Sequence, residues 1–119
     1  MYHPQPMKVD VRNFDDVIVV DLTGRLVSGD GSDVLHEVIN TLLADNWSKI
    51  ILNMQGISMM DSTGAGELIE SLKLAEKFEA KIKLLRPQGR VEKSLQLSQL
   101  LPLFDVFNDE TTAIKSFKA

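Results

Sequence analysis

The stretch Lys49-Ile50-Ile51-Leu52-Asn53-Met54, followed after a four-residue spacer by Met59-Met60-Asp61-Ser62-Thr63-Gly64-Ala65-Gly66-Glu67, decides the fold. Its first part is nearly all apolar, the pattern of a strand covered on both faces. Its second part sets an acid, two hydroxyls and two glycines before a helical pattern running from about Ala65 to Phe78. This is a strand-to-helix junction. A helix start leaves backbone N–H groups unpaired and carries partial positive charge. A hydroxyl placed there is exposed, and the helix start can accept the charge of a phosphate. The junction is therefore a candidate switch as well as a turn. The plainer reading of Asp61-Ser62-Thr63 is helix N-capping, with glycines for a tight turn.

On either side of this junction, strands and helices alternate. Met7 to Val11 and Val17 to Leu22 read as two strands joined by the turn Asn13-Phe14-Asp15-Asp16, an antiparallel pair. Gly24 is expected to end the second strand. Ser28-Gly29-Asp30-Gly31-Ser32 reads as a loop, with Ser32 or Asp33 as N-cap of a helix. That helix carries Val34, Leu35, Val38, Ile39, Leu42 and Leu43 at helical spacing and reaches about Asp45. After the junction, Leu68, Ile69, Leu72, Ala75 and Phe78 form one side of the second helix. Lys81 to Leu85 is a short strand, and a helix with Val91, Leu95 and Leu97 follows Pro87 and Gly89. Phe104 to Phe107 reads as a last strand, and Asn108 or Asp109 caps a terminal helix. The order ββαβαβαβα predicts an α/β domain with a mainly parallel sheet and an antiparallel N-terminal strand pair. Residues 1–6, with two prolines, are expected to be a flexible lead-in, leaving 7–119 as one domain.

Composition bounds the function. The 119 residues suffice for one hydrophobic core. A net charge of -4 argues against nucleic acid as the direct partner. The absence of cysteine excludes disulfides, thiolate metal sites and a cysteine nucleophile. No apolar run approaches the roughly 20 residues of a membrane span. The chain reads as cytoplasmic, without membrane insertion.

Ordinary catalysis finds little support. His3 and His36 lack a metal-ligand pattern and read as structural or surface residues. No lysine follows Gly64 or Gly66 to complete a phosphate loop, Ile69 stands where a dinucleotide fingerprint needs glycine, and Met60 breaks a nucleophile elbow around Ser62. No cofactor and no metal are expected. Of Met59 and Met60, strand alternation buries only one. Trp47 reads as packing at a helix–strand corner.

The chain resembles the STAS family, the anti-sigma factor antagonists, from about Met7 to Phe117. The resemblance rests on the Lys49–Met54 strand, on Ile57-Ser58-Met59-Met60-Asp61-Ser62-Thr63-Gly64, which matches a D-S-[ST]-G motif, and on Leu22-Thr23-Gly24-Arg25-Leu26. Val27 stands where the family often has Asp, and Ala65 replaces a frequent Leu. The resemblance implies a single STAS-like domain that binds an anti-sigma factor serine kinase, with a phosphatase as the opposing partner. It implies phosphorylation of Ser62 rather than Thr63, the unmodified form binding the kinase and freeing the sigma factor. It implies a partner surface of Met59, Met60, Asp61, Ser62, Thr63, Gly64, Ala65 and Gly66, joined by Arg25, Ser28 and Asp30 from the neighbouring strand end and loop. Asp61 is expected to matter more for the switch than for the fold, and Gly64 and Gly66 to leave the backbone open to the kinase. Two rivals stand beside this reading: a STAS scaffold or transport-system subunit that is not phosphorylated, and a small-ligand-sensing module.

Overall fold

The computed structural model describes residues 7–118; the expected lead-in at 1–6 lies outside them. The strands are β1 (Lys8–Phe14), β2 (Val17–Leu26), β3 (Lys49–Met60), β4 (Lys81–Leu85) and β5 (Val106–Phe107). The helices are α1 (Asp30–Ala44), α2 (Ser62–Lys77), α3 (Gly89–Leu97) and α4 (Glu110–Lys115), with a 3-10 turn at Leu101–Leu103. The strands form one sheet in the order β1-β2-β3-β4-β5. β1 and β2 are antiparallel, and every later pair is parallel. The expected architecture holds, with β3 at the centre.

Strand alternation divides the core. Ile18, Val20, Leu22, Ile50, Leu52 and Leu84 face a large cluster completed by Leu35, Ile39 and Leu43 of α1, Leu68 and Ala75 of α2, and Val91 and Leu95 of α3. Val17, Val19, Ile51 and Leu85 face the other way, against Ala113 of α4. Trp47 packs half-buried against the larger cluster, as expected at that corner. The apolar contact of α4 with the sheet is small, through Ala113 and Ile114, and a polar network reinforces it. Arg12 donates from Nε and Nη2 to the two carboxylate oxygens of Asp21 at 2.6 and 2.9 Å, and also pairs with Glu110 of α4. Asn53 donates to Asp21 at 2.7 Å. Among the described residues, no helix is long and apolar enough to cross a membrane.

Several boundaries differ from expectation. β1 runs on to Phe14, so the turn is confined to Asp15 and Asp16. β2 does not end at Gly24; it continues to Leu26 across shifts in register on both sides of that residue. Gly24 has φ 126, a conformation open to glycine, and lets the strand bulge instead of stopping. β3 likewise runs on to Met60, because β2 continues to supply a pairing partner as far as Leu26. α1 starts at Asp30, so the predicted loop is shorter and neither Ser32 nor Asp33 is the cap; Gly29 holds that position. Ser32 is buried, and its N–H and hydroxyl both donate to the carbonyl of Val27 at 3.0 Å. The last strand is confined to Val106–Phe107, since Phe104 closes the 3-10 turn and is buried in the larger cluster. Asp109 caps α4 by accepting from the N–H of Thr112.

Candidate functional site

The ends of two adjacent parallel strands build the site. Leu26, the last residue of β2, stands opposite Met60, the last of β3. Each strand feeds a helix at once: β2 into α1 and β3 into α2. The two helices start against consecutive carbonyls of one strand end. Gly31 of α1 lies so close to the Arg25 carbonyl that a Cβ there would overlap its oxygen, and Gly64 of α2 stands in the same relation to the Leu26 carbonyl. Glycine is needed at both places for close backbone approach, not for an unusual φ. The N–H of Asp61 also donates to the Leu26 carbonyl, at 3.3 Å.

Asp61 is the N-cap of α2, and its side chain has two partners. Oδ1 accepts from the N–H of Gly64 at 2.8 Å, and Oδ2 accepts from the N–H of Ser28 at 2.9 Å. These bonds, that from Ser28 foremost, hold its carboxyl below the usual aspartate range, with a smaller contribution from the Thr63 N–H. Asp61 is therefore ionised at neutral pH, and it latches the β2–α1 loop to the start of α2. The positive end of α2 already faces this carboxylate; a phosphate on Ser62 would share the first-turn amides with it rather than find them free.

Ser62 and Thr63 are the first two residues of α2, and both are exposed. α2 therefore begins three residues earlier than its periodicity suggests, because Asp61 caps it. Gly64 is buried, which corrects the expectation that it leaves the backbone open; Gly66 does so, being exposed with open space where a Cβ would sit. Met60 is buried and Met59 half-buried, as alternation requires. Met59 instead receives Arg25, whose Nη2 lies 3.5 Å from its sulfur. Asp30 is exposed at the first position of α1, and its carboxylate accepts from the N–H of Met7 at 3.1 Å, so it ties down the start of the chain's first strand.

Three residues that the sequence reading did not assign to the site adjoin it. Ser94, Leu97 and Ser98, at the end of α3, form a depression of about 200 Å³ with Met60, Asp61, Ser62 and Ala65. Leu97 is 75% exposed. It does not share the buried side of α3 with Val91 and Leu95. The signal was present in the spacing: Val91 and Leu95 are four apart and share a face, whereas Leu97 is two beyond Leu95 and points away. Beside the junction, His36 of α1 meets Glu67 of α2 across the surface, Nδ1 to Oε1 2.9 Å.

A strand-end junction with an exposed Asp-Ser-Thr turn, on a five-stranded sheet of this order, defines a STAS domain. The STAS domain family model matches residues 8–113, and the chain belongs to this family. An anti-sigma factor antagonist from Mycobacterium paratuberculosis is similar over 100% of both chains, with a TM-score of 0.85 at 17% identity. SpoIIAA, an anti-sigma factor antagonist and cell fate determinant of Bacillus, is similar in its unphosphorylated form over 92% of this chain and 95% of its own, with a TM-score of 0.77 at 25% identity. A sulfate transporter family protein from Wolinella succinogenes is similar over 86% of this chain and 84% of its own, with a TM-score of 0.75 at 21% identity.

Proposed function

We propose that this protein is an anti-sigma factor antagonist that works by partner switching, with Ser62 as the phosphoacceptor. In the unmodified state it binds an anti-sigma factor serine kinase and so releases a sigma factor. Phosphorylation ends that binding, and a phosphatase restores it. The role is one of regulated binding in the cytoplasm, not of catalysis. One observation carries the reading: the exposed Ser62 hydroxyl stands at the first turn of α2, directly after the ionised Asp61 and beside the depression that exposed Leu97 borders. The similarity to SpoIIAA, a protein known in phosphorylated and unphosphorylated forms, supports it.

The chemistry of the switch is electrostatic. A phosphate brings about -1.5 to -2 charges at pH 7. At Ser62 that charge meets the Asp61 carboxylate, competes for the same amides, and strains the latch to Ser28. It also places a strongly hydrated group at the edge of the depression beside Leu97, which a docking partner must then desolvate. A coupling of about 3 kcal/mol weakens binding more than a hundredfold. Phosphopeptide mapping after incubation with a serine kinase of the anti-sigma class tests the assignment. Phosphate on Ser62 is expected; phosphate mainly on Thr63 contradicts it.

The similarity to the Wolinella sulfate transporter family protein favours one second reading, a transport-system subunit without phosphorylation. That reading requires a Ser62→Ala protein to act as the unaltered one does in every binding assay.

A further inference from the structure

At the opposite end of the sheet, where β3 and β4 begin, three lysines gather on the face that α4 covers. Lys49 and Lys81 stand opposite one another in register, and Lys83 lies two residues beyond Lys81, opposite Ile51 of the smaller core cluster. Strand alternation puts all three on one face. They line an open depression of about 340 Å³, together with Ser48 and Ser116.

The charges there do not balance. Lys83 is only 6% exposed. Its ammonium donates to the hydroxyl of Ser116 at 2.7 Å and to the carbonyl of Ser116 at 3.3 Å, and it lies 4.2 Å from the centre of the Phe117 ring. These are neutral partners. They fill two of its three donors, and the rings of Phe117 and, at 5.6 Å, Phe107 attract the cation without neutralising it. Among the described residues, neither Lys83 nor Lys81 has a carboxylate within ion-pair distance, whereas Lys49 pairs with Asp16. Burial lowers the Lys83 pKa, Asp105 opposes that effect, and the Lys81 charge adds to it. Like charges directly across a strand pair are unfavourable, and among the described residues Glu79 is the one carboxylate lining the depression.

We propose that this depression binds the phosphate group of a small soluble molecule, held by the ammonium groups of Lys81 and Lys83 with Lys49 at its margin. A dianion with several acceptor oxygens satisfies two ammonium groups at once, and such charge-assisted bonds are the strong ones. The volume suits a small ligand, near the lower end of the roughly 300–1,000 Å³ of ligand pockets. β3 spans twelve residues between this depression and the Ser62 junction, so at roughly 3.3 Å per residue the two sites lie far apart and do not compete. The proposal is independent of the partner-switching reading.

The test is a titration of the full chain with inorganic phosphate at constant ionic strength, followed by backbone amide NMR, with chloride as the control anion. Saturable shifts confined to the surroundings of Lys49, Lys81, Lys83 and Phe117 are expected. Lys81→Met, a change at an exposed position, should weaken phosphate binding about tenfold while the rest of the spectrum is retained, and the further change Lys83→Met should abolish it. Equal shifts with chloride, shifts spread over the surface, no saturation, or unchanged affinity in Lys81→Met would overturn the proposal.

Discussion

The carboxylate of Asp61 accepts a hydrogen bond from the backbone N–H of Ser28 at 2.9 Å, joining two helix-entry loops that are 33 residues apart in sequence. The same carboxylate caps α2 through Gly64. Asp61 thus serves the fold, more than its sequence context suggests. Asp61→Ala should lower stability by about 1–2 kcal/mol, in the upper range for loss of an N-cap, while the protein stays folded at 25 °C.

The pH dependence follows from the sign of the shift. The Asp61 pKa is lower in the folded protein than in the unfolded chain, where it is about 3.9. Its contribution is therefore complete above about pH 4 and is lost as pH falls through the folded value. Urea unfolding should show a gap between unaltered protein and Asp61→Ala at pH 7 that narrows at pH 3. A gap that stays constant over this range would show that the capping charge is not its source.

Two glycines two residues apart in α2 should respond oppositely to alanine. A Cβ at Gly64 overlaps the Leu26 carbonyl, a backbone atom that cannot yield cheaply, whereas Gly66 faces open space. Gly64→Ala should destabilise by about 1–3 kcal/mol, the usual range for overpacking. Gly66→Ala should stabilise by about 0.5–1 kcal/mol through helix propensity. Thermal denaturation of the two variants decides the matter; similar melting temperatures would contradict the geometry.

Leu97 gives a way to separate binding from folding. Because it is 75% exposed, Leu97→Ser should change stability by no more than about 0.5 kcal/mol. Its place beside Ser62 and Met60 predicts a loss of about tenfold or more in kinase affinity. Calorimetric titration with the kinase, alongside a melting curve, checks both halves. Unchanged affinity would remove the end of α3 from the docking surface.

What the sequence conveyed was whatever depends on local pattern. The apolar run Ile50-Ile51-Leu52 marked the central strand, the spacing of Leu35, Ile39 and Leu42 marked α1, and the placement of Asp61 before Ser62 and Thr63 marked the junction. What it did not convey depends on partners distant in the chain. β3 extends to Met60 because β2 pairs with it that far, and no local property of Gln55-Gly56 announces this. Gly64 reads as an opening in the backbone, but the Leu26 carbonyl fills the space beside it. Ser28 enters the site through its backbone N–H rather than its hydroxyl, a contact that side-chain chemistry does not signal. Lys83 alternates with apolar neighbours like any strand residue, and only α4 folding over it makes it a buried cation.

On the proposed reading, a phosphate on Ser62 switches off partner binding without unfolding the domain. The most direct measurement is the affinity of an anti-sigma factor serine kinase for the unmodified protein and for the same protein phosphorylated at Ser62, with amide spectra of both. Affinities differing more than a hundredfold, equivalent to about 3 kcal/mol, are expected, with spectral changes confined to the surroundings of Ser28, Asp61 and Gly64. Equal affinities for the two forms, or loss of the folded spectrum on phosphorylation, would contradict it.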